Sequence, residues 1–212
     1  MRKYVIMFGN LFNDIEVQRF NASGQRIQTL KVPIAYGPKE KFLVRISQDP
    51  DLDRDIAIQL PRLGFEMSGM VYSPTRKLTS TQKNYHILPD GDTVRRQYVP
   101  VPYDINFQLG IFVKNADDGV QILEQILPFF RPEWTSQVRV IPTMSLVMDI
   151  PTVLQSVSLE DTYEGDFDTR RAIIWTLDFL VKGWIYGPIT NSGLIKRTLI
   201  DFYTPFNAPT AN

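Results

Sequence analysis

The sequence predicts an α+β fold, in which a few helices flank a mainly antiparallel β-sheet. Apolar and polar residues alternate over residues 103–114 and again over residues 173–182, a period of two that indicates long β-strands. Runs of consecutive predicted strands interleave with two helix-rich stretches, which is typical of helices packed on an antiparallel sheet. We therefore expect residues 1–203 to form a single domain, followed by a flexible tail at residues 204–212.

The N-terminal part of the sequence predicts a helix, a β-hairpin and a second helix. Apolar residues spaced i, i+3, i+4 and i+7 predict an amphipathic helix over Tyr4–Asp14. An alternating segment at residues 15–20, turn-forming residues at 21–24 and a returning segment at 25–34 predict the hairpin. A proline suited to the first turn opens a short predicted helix over residues 38–46.

A further helical segment and a strand are predicted next. Apolar spacing favours a helix over residues 52–60, which Pro61 ends, and residues 62–72 then alternate as a strand. One face of this strand should carry Leu63, Phe65, Met67 and Val71, and the other face Gly64, Glu66, Ser68 and Met70.

Residues 74–97 form the most polar part of the sequence. Their proline, glycine, serine and threonine content predicts a long loop or an extended hairpin. A loop of this length in a compact domain is usually functional or mobile. Five basic residues against two acidic ones make the segment a candidate surface for a partner or for another copy of the chain. The basic residues are Arg76, Lys77, Lys83, Arg95 and Arg96.

The clearest strand, residues 103–113, is followed by a helix signal. Asn115 is predicted to be the N-cap, and Asp117 and Asp118 then lie in the first turn, where carboxylates favour the helix dipole. Pro128 and Pro132 should end the helix. Its buried stripe is predicted to comprise Val120, Leu123, Ile126, Leu127 and Phe130.

The C-terminal part predicts strands separated by breaks. Residues 138–150 and 153–159 are predicted as strands with breaks at Pro142 and Pro151, and residues 173–186 as a long strand. A turn at residues 191–193 should lead to a last strand at 194–203.

An acidic connector at residues 160–168 precedes the long strand. It could hold a metal ion, supply a carboxylate pair for glycoside hydrolysis, form a solvated turn or offer a charged partner surface. The segment reads as exposed, whereas catalytic carboxylates need burial, so the non-catalytic readings are favoured. The acidic residues in question are Glu160, Asp161, Glu164, Asp166 and Asp168.

Composition excludes several classes of function. There are 23 basic and 23 acidic residues, and this balance argues against a protein that binds chiefly phosphate backbones or anionic membranes. Cysteine is absent and His86 is the single histidine, so thiolate chemistry and multi-histidine metal sites within one chain have no residues to use. No apolar run is long enough to predict a membrane-spanning helix. The sequence therefore predicts neither a cofactor nor a metal ion.

Several segments, taken together and in order, resemble one family: the tail sheath stabiliser and completion proteins, or tail terminators, of T4-like contractile-tailed bacteriophages. The most specific are EQILPFFRP at residues 124–132 and RRAIIWTLDF at residues 170–179. The others are Leu11–Ile15, Val32–Tyr36, Lys39–Phe42, Leu60–Arg62, Gly183–Pro188, Gly193–Ile195 and Thr198–Phe202.

The resemblance implies a structural role in the virion and no enzymatic activity. It implies a ring of six copies at the head-proximal end of the tail, assembled in the cytoplasm of the bacterial host. The ring would end tube growth, hold the sheath extended and receive the neck. Its implied partners are other copies of itself, the tail sheath protein, a tube or tube-capping protein and neck or head-completion proteins. DNA would only pass through the lumen, and no membrane is involved. The alternatives are another tail component, such as a tube or baseplate protein, or a carboxylate-dependent hydrolase.

Overall fold

The structure, a computed structural model, describes residues 1–21, 23–48, 60–88, 92–141, 146–162, 172–193 and 195–201. The helices are Arg2–Leu11 (α1), Lys39–Gln48 (α2) and Ala116–Ile126 (α3), with short 3₁₀ turns at Pro74–Arg76 and Leu127–Phe129. The first seven strands are Glu16–Phe20 (β1), Arg26–Lys31 (β2), Ile34–Tyr36 (β3), Arg62–Tyr72 (β4), Lys83–Ile87 (β5), Thr93–Tyr98 (β6) and Val101–Val113 (β7). The remaining strands are Glu133–Ile141 (β8), Leu146–Thr162 (β9), Ala172–Ile185 (β10) and Thr190–Gly193 (β11).

The chain divides into two compact units. The first unit comprises Met1–Leu78 and Pro100–Tyr186, and the second unit Thr79–Val99 and Gly187–Asn212. The domain limits expected from the sequence, 1–203 and 204–212, stay predictions, and residues 204–212 lie outside the described residues.

A six-stranded sheet forms the centre of the first unit. Its strand order is β3-β4-β7-β10-β9-β8, and every neighbouring pair is antiparallel except β3 with β4, which is parallel. The same unit contains the predicted hairpin, in which β1 pairs with β2. The predicted α+β class with a mainly antiparallel sheet is therefore confirmed.

The main core covers one face of this sheet. The odd-numbered residues of β7, from Ile105 to Val113, are buried there together with residues of α1 and α3. The ring of Phe8 in α1 stacks on Phe107 at a centroid distance of 4.5 Å and meets Phe179 edge-on at 5.3 Å. Such aromatic pairs add to the stabilisation that apolar burial alone provides.

The opposite face of the sheet carries a smaller apolar cluster and a polar ladder. Phe42 of α2 packs there against Phe112 and Ile174. Beside this cluster, the amide of Gln108 donates to one oxygen of the Asp178 carboxylate at 3.1 Å, and the hydroxyl of Ser156 donates to the other at 2.7 Å. This face is thus partly covered by α2 and partly polar.

Two glutamines of α3 hold strand β1 of the hairpin against that helix. The side-chain amide of Gln125 accepts from the N–H of Glu16 at 3.1 Å and donates to its carbonyl at 2.7 Å. Gln121 accepts from the N–H of Gln18 at 3.0 Å. Side-chain amides therefore satisfy an edge of β1 that no other strand pairs among the described residues.

A β-bulge in β4 changes the predicted faces of that strand. The register with β7 shifts between Met67 and Gly69, so one residue of β4 has no partner there. Because one extra residue reverses the side-chain alternation, Met70 and not Val71 continues the face of Leu63. The prediction that Val71 shares the face of Leu63 was wrong, and Val71 is exposed.

Helix α3 is rotated relative to the prediction. Asn115 is its N-cap position, although no side-chain capping hydrogen bond forms. Ile122 is buried, whereas Val120 and Leu127 are exposed, so those two members of the predicted stripe were wrong. Gly119 explains the rotation, because a Cβ atom there would lie 2.8 Å from Nε1 of Trp175 and this face can therefore approach the sheet closely.

Three predictions about the C-terminal strands were also wrong. β9 continues through Pro151, which pairs with β8 but lies beyond the part of β9 that pairs with β10. The lack of a backbone N–H at Pro151 therefore costs no hydrogen bond between β9 and β10. Residues 191–193 belong to β11 and not to a turn, and the described residues 195–201 contain no strand. The helix predicted at 52–60 lies outside the described residues except for Leu60, which is not helical.

The hydroxyl of Tyr4 fastens α1 to β10. It donates to the carbonyl of Trp184 at 2.6 Å and accepts from the N–H of the same residue at 2.8 Å. Burial raises the pKa of Tyr4 above its ordinary value of 10.0. Burial, with Tyr4 nearby, raises the pKa of Tyr186 to about 12.

Tyr4→Phe is expected to lower the free energy of unfolding by about 1–3 kcal/mol at pH 7, because it leaves the buried backbone groups of Trp184 without their partner. In the unmodified chain, the raised pKa values of Tyr4 and Tyr186 make the free energy of unfolding depend on pH. The stability is fully present below pH 10, and it falls as the pH rises through the pKa values of the folded chain. Tyr4→Phe should therefore also reduce the fall in stability above pH 10. Urea unfolding between pH 7 and pH 11.5 measures both effects, and an unchanged midpoint at pH 7 would contradict the first.

Candidate interaction site

The segment predicted as a polar loop or extended hairpin contains a hairpin. β5 and β6 pair antiparallel, with Lys83 opposite Tyr98, Tyr85 opposite Arg96 and Ile87 opposite Val94. β11 pairs with the other edge of β6 and completes the three-stranded sheet of the second unit. The hairpin alternative was correct, whereas the third strand was not expected.

One face of this sheet combines basic and apolar side chains, and we call it the hairpin face. The register places Lys83, Tyr85, Ile87, Val94, Arg96 and Tyr98 on this side, and Val94 among them is buried. Tyr85, Ile87 and Tyr98 are 66%, 58% and 54% exposed. The ammonium of Lys83 lies 4.8 Å from the centre of the Tyr98 ring, a cation–π contact.

The hairpin face has the composition of a protein-binding surface. Tyrosine and arginine are the residue types most enriched at interface hot spots. Sequence reasoning had selected its bases and missed Ile87 and Tyr98. The alternation of residues 83–87 and 93–98 was the signal that could have found them, because it places these side chains beside Arg96.

The other face of β6 is more enclosed. Arg95 lies on it, opposite His86 and Asn191 in the register, so the neighbouring bases Arg95 and Arg96 point to different sides of the sheet. Gln97 on this face is buried, and its amide donates to the carbonyl of Gly187 at 2.5 Å.

Arg76 and Lys77 belong to the first unit and not to the hairpin. The guanidinium of Arg76 pairs with Asp104 at 2.6 Å, donates to the hydroxyl of Ser73 at 3.2 Å and lies 5.2 Å from the ring of Trp184. Its charge is thus compensated within the chain. Lys77 is exposed.

Two of the predicted acidic site residues lie at the end of β9. Glu160 pairs with the ammonium of Lys39 at 2.7 Å, and Lys39 also donates to the hydroxyl of Thr176 at 3.3 Å. Asp161 is opposite Ile173 of β10. The other predicted acids, Glu164, Asp166 and Asp168, lie outside the described residues.

Neither a metal centre nor a membrane span is found in the part of the chain that the structure describes. No group of three or more acidic or histidine side chains comes together there in a way that could hold a metal ion. Within the same residues, no helix is long and apolar enough to cross a membrane.

Two segments that carry the family resemblance line one apolar groove. Leu11–Ile15 follows the end of α1, and Glu124–Pro132 contains the end of α3 and the 3₁₀ turn after it. Together with Trp134 they enclose about 570 Å³. Phe129 and Trp134 meet edge to face at 5.4 Å in this groove.

Comparison with known proteins agrees with the resemblance. The family model described as T4-like virus Myoviridae tail sheath stabiliser matches residues 1–211. The tail completion protein gp15 of Enterobacteria phage T4 is 33% identical to this chain, over 95% of the chain and 76% of that protein. The match extends over both units and includes the segments that form the hairpin face and the groove. The chain therefore belongs to the tail sheath stabiliser family of T4-like myoviruses.

Proposed function

We propose that this chain completes the contractile tail as a ring of six copies at the head-proximal end. The ring ends the tube, keeps the last sheath ring extended and offers the surface on which the neck docks. The observation that carries this proposal is the family match over residues 1–211. The role is structural and requires no chemistry on a substrate.

Features of both units support a protein that works through contacts with other chains. The hairpin face exposes apolar and basic side chains together, which favours a protein partner over bulk solvent. In the first unit, β2 is an exposed strand whose outer edge has no partner among the described residues. An open edge of this kind can pair with a strand of a neighbouring chain.

We propose the same kind of contact for the candidate residues selected from the sequence. Lys77, Lys83, Arg95 and Arg96 would face acidic groups of a neighbouring copy or of the sheath protein. The acidic segment 160–168 would provide such groups in the ring. DNA would pass through the lumen without strong binding, because the balance of 23 bases and 23 acids leaves no excess charge for phosphate.

Electron microscopy of tails that carry a labelled copy of this chain tests the location. We expect the label in one ring, at the end of the tail that joins the head. Tails made without the chain should keep their tube but lose the extended sheath more readily. A label along the tube or at the baseplate would overturn the proposal and would favour a tube or baseplate protein.

Arg96→Glu is expected to weaken binding of the purified chain to tails made without it by about tenfold, the loss of roughly 1.4 kcal/mol. The reason is that reversal of one exposed charge on the hairpin face turns an attraction for acidic groups into a repulsion. Co-sedimentation with the tails measures the effect. Lys114→Glu makes the same charge change at an exposed site in the first unit and should bind as the unmodified chain does. Equal binding by both variants would show that the hairpin face is not part of the interface.

A further inference from the structure

We propose that the apolar groove of each copy receives residues 195–201 of a neighbouring copy, a segment that we call the arm. This inference rests on the proposed ring and adds the contact that joins its copies. It is carried by three observations: an apolar groove, an arm with exposed apolar side chains and opposite charges on the two.

The groove can hold several aliphatic side chains. Its volume of about 570 Å³ falls within the roughly 300–1,000 Å³ typical of concave binding sites. Leu11, Ile15, Pro128 and Phe129 contribute apolar surface to its lining. Phe129 is more than half exposed, although it is one of the largest apolar side chains of the unit. An apolar occupant would remove this surface from water.

The arm carries apolar side chains that its own chain does not cover. Ile195, Leu199 and Ile200 are 85%, 76% and 67% exposed. Complete burial of a leucine or isoleucine side chain contributes about 1.5–3 kcal/mol. The described residues 195–201 form no strand, so their backbone is also available to a partner. The arm therefore has both the side chains and the backbone freedom to lie in a groove.

The charges of the two surfaces are complementary. The residues that line the groove include Asp14 and Glu124 and no lysine or arginine. Lys31 pairs with Asp14 at 2.9 Å, so Glu124 is the acid that a base of the arm would meet. The arm contains Lys196 and Arg197 against one acid, Asp201. Lys196 pairs with Asp92 of its own unit, and Arg197 is exposed. Arg197 is thus the base best suited to meet the acidic rim of the groove.

A second copy of the chain is the occupant that these observations favour. The groove and the arm are different surfaces, and contact between different surfaces of identical chains is heterologous. Such a contact lets every copy give one arm and accept another, which closes a ring when the rotation between copies allows it.

Crosslinking between cysteine variants tests this contact, because the unmodified chain contains no cysteine. Glu124→Cys and Leu199→Cys chains of different mass are mixed, added to tails made without the chain, and oxidised. We expect a mixed disulfide-linked dimer at least five times more abundant than with a matched pair. That pair replaces Leu199→Cys by Val71→Cys, at a site 62% exposed that lies outside the arm and outside β2. Equal yields from the two pairs would overturn the arm contact.

A second readout separates this inference from the proposed function. Leu199→Asp should leave the melting temperature of the isolated chain unchanged, because the side chain is exposed, and should weaken tail binding at least tenfold. Val71→Asp is the matched control, at an exposed site that no proposed contact uses, and should bind normally. If the cysteine variants bind the tail end but form no crosslink between positions 124 and 199, the proposed arm contact is wrong and the proposed ring is unaffected. If the unmodified chain does not bind the tail end, the proposed function itself fails, and the arm contact fails with it.

Discussion

Phe8→Ala is expected to lower the free energy of unfolding by about 3–5 kcal/mol, the range typical of buried phenylalanine. Phe8 is fully buried, and its ring contacts those of Phe12, Phe65, Phe107 and Phe179 at centroid distances of 4.5–5.4 Å. Removal of the ring leaves a cavity where α1, β4, β7 and β10 meet. The four remaining rings cannot all move inward, because each is fixed by its own neighbours.

Thermal unfolding measures this effect. For a chain of this size, 3–5 kcal/mol corresponds to a fall in Tm of roughly 6–20 °C. Ile6→Ala removes an apolar side chain from the same helix at a site that is 52% exposed, and it should change stability by about 0.5 kcal/mol or less. A loss for Phe8→Ala no larger than that for Ile6→Ala would show that α1 is not part of the core.

Gly64→Ala is the second substitution with a large expected effect, because it places a methyl group where the ring of Phe42 lies. A Cβ atom at position 64 would be 2.5 Å from Cε2 and 2.8 Å from Cδ2 of Phe42. The ring cannot simply turn away, because it is buried against Phe112 and covered by the guanidinium of Arg62 at 5.6 Å. We expect a loss of about 1–3 kcal/mol from overpacking, together with displacement of α2 from the sheet.

A double substitution distinguishes overpacking from a general intolerance of alanine in β4. Phe42→Leu makes room at the site, so Gly64→Ala should cost much less in a Phe42→Leu background than in the unmodified chain. Gly69→Ala in the same strand has no atom within 4 Å of the added methyl group and should be nearly neutral. Chemical denaturation of the unmodified chain, the two single variants and the double variant gives the coupling energy between positions 42 and 64. Strictly additive losses would contradict the proposed clash.

The long strands were predictable because one face of each is buried along most of its length. The sequence alternation at 103–113 and 173–182 matches the side chains that β7 and β10 bury. The departures arise where one residue changes the geometry. The bulge between Met67 and Gly69 depends on pairing with β7, and the rotation of α3 depends on how closely Gly119 approaches Trp175. The local sequence of β4 does not reveal its pairing with β7, and the local sequence of α3 does not reveal its contact with Trp175.

The candidate site was predictable in its charges and less so in its shape. The sequence identified Arg96 and Lys83, since charge can be counted along the chain, but it could not tell that Arg76 is compensated by Asp104. The groove joins Leu11–Ile15 with Glu124–Pro132, two segments far apart in the sequence. Both had been selected through the family resemblance, so the signal existed, but only the fold brings them together.

The glutamine contacts between α3 and β1 have a mechanical consequence. The root of the hairpin and the groove share Asp14, Ile15 and Gln125. Strand β1 is tied to α3 by the glutamine hydrogen bonds and by the ion pair of Arg19 with Asp118, and Val17 of β1 is buried in the main core. Movement of the hairpin would therefore break these polar contacts and expose Val17 at the same time. A segment bound in the groove would contact the root of the hairpin directly. Occupancy of the groove would therefore be coupled to the position of the β1–β2 hairpin.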